Sequence, residues 1–203
     1  MKTKDKTIEN RQEPLFWQDL KAGCSAALGN IAHLHYANLL RYGMTLGFDR
    51  ETVKDAIQNT FIYIWEHRET IATVENGRAY LLFALRNRLV REQHQTKQVR
   101  TFWQRLLATK EVQQSTDIEW ITFEIETENN QNIHKVIAQM STREREVIQL
   151  RFYENLDNEA IAEIMGISKQ GVANLLVRTL KSFRGAWQEL VSLFFLFYLL
   201  GFS

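Results

Sequence analysis

The sequence predicts an all-α fold of two small helical domains joined by a linker, the C-terminal one a helix-turn-helix. Three observations lead there. A single proline and nine glycines in 203 residues leave long stretches in which nothing interrupts a helix. Apolar residues recur every three or four positions in both halves, the spacing that aligns side chains on one helical face. Between the halves, from about Thr109 to Asn130, the composition turns acidic and that period is lost. The expected boundaries are a polar, frayed N-terminus over 1–13, a first domain over 14–96, a linker over 97–133, a second domain over 134–187 and an apolar tail over 188–203.

In the first half, Pro14 suits the first turn of a helix, and LFWQDLKAG continues it. From about Ser25 to Leu46, the residues Leu28, Ile31, Ala32, His35, Leu39, Tyr42 and Leu46 mark an amphipathic helix that Gly47 ends. Asp49 caps the next helix, with Phe48 and Val53 at the two positions of a hydrophobic staple. Val53, Ile57, Phe61 and Ile64 share one of its faces; Asp55, Gln58, Ile62, Glu66 and Glu69 mark another, mainly polar one. After a loop over 70–75, Asn76 caps a helix running to about Gln95, with Ala79, Leu82, Phe83 and Leu89 inside.

In the second half, Ser141 followed by Glu144 is a capping-box pattern, and Val147, Ile148, Leu150 and Phe152 carry that helix until Asn155 breaks it. Asp157 caps another helix, stapled by Leu156 and Ile161 and ended by Gly166, which turns the chain without a Cβ penalty. Ser168 caps the last, with Val172, Leu176 and Leu180 on one face. These last two make the helix-turn-helix. Ile161, Met165, Ile167 and Val172 supply its small core, and Ala162 permits close approach. The outer face shows Lys169, Gln170, Asn174, Arg178 and Lys181, side chains that bind phosphates and base edges in a major groove.

The formal net charge is only +1, so any nucleic-acid surface must be local. One stretch qualifies: Arg78, Arg86, Arg88, Arg91, Lys97, Arg100 and Arg105 are set against a single acid, Glu92. Tyr63, Trp65 and Tyr80 lie near the loop before it. The tyrosines fit either a base-stacking surface or the core, and Trp65 fits the core. The lone cysteine, Cys24, excludes an internal disulfide, fits a reducing cytosol and reads as a small buried residue. The polar N-terminus lacks the apolar segment of a signal peptide. No Gly-rich phosphate loop, Cys/His metal spacing or Ser-centred elbow occurs, and the histidines form no ligand set. Neither catalysis, nor a metal or other cofactor, nor a small-molecule substrate is expected.

The sequences REREVIQLRFYENLDNEAIAEIMGIS and VANLLVRTLKSFR resemble region four, the C-terminal promoter-binding domain of bacterial sigma factors. The first half resembles the two-domain, extracytoplasmic-function (ECF) kind, since WQDLKAG, YANLLRYG, DAIQNTFIYIWEHRE and AYLLFALRNRLVRE fall in that family's order. The resemblance covers about residues 15–95 and 134–187. It implies a winged-helix-like region four that reads the −35 element with Lys169, Gln170, Asn174, Arg178 and Lys181. It implies that Asp55, Gln58, Phe61 and Ile62 dock on core RNA polymerase. It further implies that the helix from Asn76, with Tyr80, Arg86, Asn87, Arg88 and Arg91, meets the −10 element and helps open the duplex. The linker would thread toward the polymerase active centre; a solvated tether is the other reading.

One departure stands out. Positions after Val172 are commonly basic or hydroxyl in the family and are Ala173, Asn174 and Leu175 here, so the family's base preference does not transfer. The implied protein is a cytoplasmic transcription initiation factor. Its partners would be core RNA polymerase, promoter DNA and an anti-sigma factor, with a membrane involved only indirectly if at all. The residues alone leave a second reading, a stand-alone helix-turn-helix regulator whose N-terminal half senses a ligand or dimerises.

The end of the chain, LVSLFFLFYLLGFS, is apolar on every side and shorter than the roughly 20 residues of a membrane span. Such a helix needs cover from the chain's own domains, a partner or lipid. Packing between or against the two domains is the expectation.

Overall fold

The computed structural model describes residues 13–71, 74–107 and 140–200, with side chains over 13–71, 74–93 and 140–184. All regular structure among these residues is helical. The chain divides into two compact units, Met1–Asp117 and Ile118–Ser203. The first holds α1 (13–21), α2 (Ser25–Thr45), α3 (Arg50–Glu66) and α4 (Gly77–Leu107). The second holds α5 (Thr142–Ile148), α6 (Asn158–Met165) and α7 (Lys169–Leu200). The expected linker beyond 107 and the frayed residues before 13 lie outside the described residues.

In the first unit the predicted signals act where expected. Gly47 ends α2 at φ +89°. Asp49 caps α3, accepting from the Thr52 N–H at 2.9 Å and from its hydroxyl at 2.6 Å. Asn76 caps α4 by accepting from the Ala79 N–H at 3.0 Å. Ile31, Leu39 and Tyr42 of α2 are buried with Val53, Ile57 and Ile64 of α3. Leu82 and Leu89 of α4 join them as predicted, and Leu81 and Leu85 do so as well. The first two helices of this core approach closely at Gly43, where a Cβ would overlap Val53 Cγ1 and stand 2.8 Å from its Cγ2.

Two expectations are corrected here. Cys24 is exposed, not buried, because it sits at the N-cap of α2 rather than along its inner face. Helix α4 continues past Gln95 to Leu107, since TKQVRTFWQRLL holds no glycine or proline and is rich in good helix formers.

In the second unit Ser141 and Glu144 form the full capping box: the Ser141 N–H and hydroxyl donate to Glu144 Oε2 at 2.9 and 2.7 Å, and the Glu144 N–H donates to Ser141 Oγ at 3.4 Å. Helix α5 then widens into a π-helical turn, Gln149–Tyr153, in which the Glu154 N–H reaches the Gln149 carbonyl at 3.1 Å. Asn155 closes it in the left-handed region at φ 52°. The Leu156 N–H bonds the Leu150 carbonyl at 3.1 Å, one residue wider than an ordinary Schellman closure, as a π-turn requires. Asp157 caps α6 through the Glu159 and Ala160 N–H groups, at 3.1 and 2.8 Å. The staple residues Leu156 and Ile161 are both buried.

Gly166 turns the chain at φ 65°, and the Ile167 N–H closes a Schellman motif on the Ala162 carbonyl at 3.1 Å. Ser168 caps α7 by accepting from the Gly171 N–H at 3.0 Å. The buried ridge of α7 is Val172, Leu175 and Thr179, with Leu176 half-buried and Leu180 45% exposed. Steps of four drift round a helix with 3.6 residues per turn, so Leu180 has left the face that Val172 occupies. Leu175, one of the positions where the resembled family is commonly basic or hydroxyl, is buried, which suits an apolar side chain there.

The helix does not stop at Trp187. It runs on to Leu200, so the apolar tail is a continuation of α7, although its packing lies outside the described side chains. Among the described residues no helix is long and apolar enough to cross a membrane.

Candidate nucleic-acid and polymerase interface

The second unit presents its predicted base-reading set on one solvent face. Lys169, Gln170, Asn174, Arg178 and Lys181 are all exposed. Each position follows from local sequence: the Ser168 cap fixes where α7 starts, and the Val172–Leu175–Thr179 ridge fixes its rotation.

Three side-chain pairs hold this face. Lys169 Nζ donates to Glu159 Oε2 at 3.0 Å, and this bond raises its pKa. Gln170 Nε2 donates to Asn174 Oδ1 at 3.0 Å, so the two amides form one joined edge. Arg178 Nε stands 3.9 Å from Glu144 Oε1 across to α5. The hydrogen bonds from Ser141 hold the Glu144 carboxyl below its ordinary range, and Arg178 adds to the effect. These solvated pairs orient the side chains but bind them weakly, leaving them free to exchange for phosphate or base partners.

In the first unit, α2 and α3 enclose an open cleft of about 510 Å3. Its α2 wall is Ser25, Leu28, Gly29 and Ala32; its α3 wall is Gln58, Phe61, Ile62, Trp65 and Glu66. Three of the four predicted docking residues therefore line one mainly apolar groove. Gln58 is exposed, Ile62 is 46% exposed and Phe61 forms the buried floor. Asp55 is exposed one turn before Gln58, outside the groove lining. Trp65 closes one end, with the Arg68 guanidinium 4.6 Å above its ring.

The arginines of α4 do not make a single stripe. Arg86 and Arg88 lie two apart and leave the helix on different sides. Arg88 Nη2 donates to the Asn59 carbonyl of α3 at 3.2 Å, while Arg91 is exposed and Arg86 and Asn87 are half-buried. Tyr63 is 48% exposed and stacks on His67 with ring centroids 4.0 Å apart, giving a flat aromatic surface beside the α3–α4 loop. Tyr80 instead packs edge-on against Trp17 at 5.7 Å. Burial raises its phenol pKa, and nearby Tyr63 adds to the shift.

Sequence reasoning missed a buried polar cluster beneath α4. His35, 1% exposed, places Nε2 at 2.9 Å from Glu13 Oε1. Burial pushes the Glu13 carboxyl up, but the His35 hydrogen bond and charge, the neighbouring Trp17 N–H and the Arg78 charge outweigh it and leave the pKa lowered. The available signal was His35 itself, a polar ring inside an apolar series.

Residues 130–183 match the family Sigma-70, region 4. The ECF RNA polymerase sigma factor SigL of Mycobacterium tuberculosis is 29% identical over 164 residues, covering 77% of this chain and 86% of SigL. The fold is similar to that of CnrH, solved with the cytosolic domain of CnrY, with a TM-score of 0.58 at 16% identity, covering 87% of this chain and 97% of that one. It is also similar to the sigma factor RpoE of Bartonella quintana, solved with the anti-sigma factor NepR, with a TM-score of 0.53 at 17% identity, covering 88% and 96%. A region-four match on the helix-turn-helix, and a relative aligned through both halves, agree with the order of helices and exposed faces described above: the second unit carries a sigma-70 region-four domain, and the chain as a whole is similar to the ECF sigma factors.

Proposed function

We propose that this chain brings core RNA polymerase to a set of promoters and directs initiation there through two separate surfaces. The observation that carries the reading is the second unit's helix-turn-helix, whose cap, turn and buried ridge hold a polar five-residue face outward. Lys169, Gln170, Asn174, Arg178 and Lys181 read and grip the −35 duplex. The linked amides of Gln170 and Asn174 suit an adenine edge, which offers one donor and one acceptor. The chain performs no covalent chemistry.

In the first unit, the groove formed by Gln58, Phe61 and Ile62, with Asp55 at its lip, docks a helical element of core polymerase. Its apolar floor and polar rim fit a helix laid into a groove. The N-terminal half of α4, with Arg86, Asn87, Arg88 and Arg91, holds the −10 backbone. The Tyr63–His67 stack offers the surface for an unpaired base. Tyr80 supports this region from below through Trp17. An anti-sigma factor is the regulatory partner, a reading supported by the proteins found bound to CnrH and RpoE.

The test is transcription in vitro. Core polymerase plus this chain, incubated with genomic fragments, should yield discrete start sites absent with core alone. Binding of the isolated chain to specific duplexes without any polymerase-dependent transcript would instead support a stand-alone regulator.

A further inference from the structure

Helix α4 begins at Gly77, and its first turn is held from below by residues far away in the chain. A Cβ at Gly77 would overlap both Glu13 Oε1 and Trp17 Nε1, and would stand 2.9 Å from Trp17 Cε2. Glu13 is in turn bonded to buried His35 at 2.9 Å. A carboxylate only accepts, so the imidazole donates from Nε2 and its orientation is fixed. Trp17 also meets Tyr80, one turn into α4, edge-on. Three helices thus converge on the residue that ends the α3–α4 loop.

The rest of α4 needs no such device. Leu81, Leu82, Leu85 and Leu89 are at most 1% exposed and anchor the helix to the core. A part-buried carboxylate–imidazole pair also adds little net stability over an apolar filling, because desolvation of the buried ring offsets its attraction. Its distinctive product is a fixed geometry.

We propose that Glu13, Trp17 and His35 are positioning residues for promoter opening: by seating Gly77 they set the N-terminal turn of α4 and the end of the loop before it against the −10 element. The proposal rests on the reading of α4 as the −10-facing helix. None of the three touches DNA. They act through Gly77, Asn76 and Tyr80.

The experiment uses the full chain with core polymerase on a start-site-mapped promoter carrying 2-aminopurine in the non-template −10 strand. Opening is read as fluorescence rise, and core binding and thermal midpoint are measured in parallel. Glu13→Ala should slow opening about tenfold, as displacement of a pre-set geometry does, while core affinity stays within about twofold. Glu13→Gln keeps an oxygen acceptor for His35 and should restore most of the rate. His35→Leu fills the same space without a donor. It should slow opening as Glu13→Ala does even if its thermal midpoint equals or exceeds the parent's, which a merely structural role does not allow.

The control is Arg86→Ala with Arg91→Ala. If the control slows opening while Glu13→Ala and His35→Leu open at the parent rate, or at rates that simply follow their thermal midpoints, the positioning role is wrong. If the control itself opens promoters normally, the −10 reading falls and the proposal with it.

Discussion

Glu144 serves two elements at once, capping α5 through Ser141 and standing opposite Arg178 of α7. Its distance of 3.9 Å from Arg178 is long, and Arg178 is 70% exposed, so the pair adds little stability and leaves the guanidinium available. Arg178→Ala, Gln170→Ala and Asn174→Ala should each weaken −35 binding, by about 1–3 kcal/mol wherever the native side chain meets a base edge. Folding stability should change by no more than about 0.5 kcal/mol. Titration of each variant against duplex, with thermal melts alongside, checks this; unchanged occupancy in all three would mean that another face of α7 reads the DNA. Glu13 carries a pH prediction. Its folded pKa is lowered from 4.5, so its contribution to stability is fully present above that value and is lost as pH falls through the folded pKa. Glu13→Gln should therefore flatten the acid limb of a stability–pH profile for this protein: the variant is less stable than the parent at neutral pH, and the two profiles converge as pH falls through the folded pKa.

The helices that the sequence made legible are those whose ends carry their own signals. Ser141 with Glu144, Asp49, Asn76, Asp157, Ser168 and Gly166 each act within three or four residues, and each acts as expected. Bonds closed by tertiary packing carry no such local signature. Glu13 meets His35 at a separation of 22 residues, and Arg88 meets Asn59 at 29. The π-turn after α5 was likewise hidden, because one extra residue shifts the register without altering composition. The α2–α3 groove lay between these cases: its α3 wall was legible as a helical edge, whereas its α2 wall became visible only when the helices packed. Asp55→Arg should abolish co-purification with core polymerase and leave circular dichroism unchanged, since Asp55 is exposed outside the groove lining. Normal co-purification would remove this edge from the docking surface. At the α2–α3 crossing, Gly43→Ala should cost about 1–3 kcal/mol by overpacking against Val53, measured as a lowered denaturation midpoint.

For the whole molecule, near-neutral charge means that affinity for DNA comes from a few local cations rather than a general field. Promoter binding by the polymerase complex should weaken with salt. Replacing Arg86, Arg88 and Arg91 together with alanine should make that salt dependence shallower, by about one unit for each phosphate no longer neutralised. An unchanged slope would place these side chains away from the backbone of the DNA. The division into two units was legible from the acidic break in composition, but the length of the final helix was not. Helix α7 spans 32 residues without interruption, about 48 Å of continuous backbone. Its first turns carry Lys169, Gln170 and Asn174, and its last turns are the apolar end of the chain. Polar head and apolar tail thus share one shaft. Twist or tilt imposed at the far end would reach the amides at the near end without passing through a joint, so that, on the proposed −35 reading, the apolar end is mechanically part of the DNA-reading element.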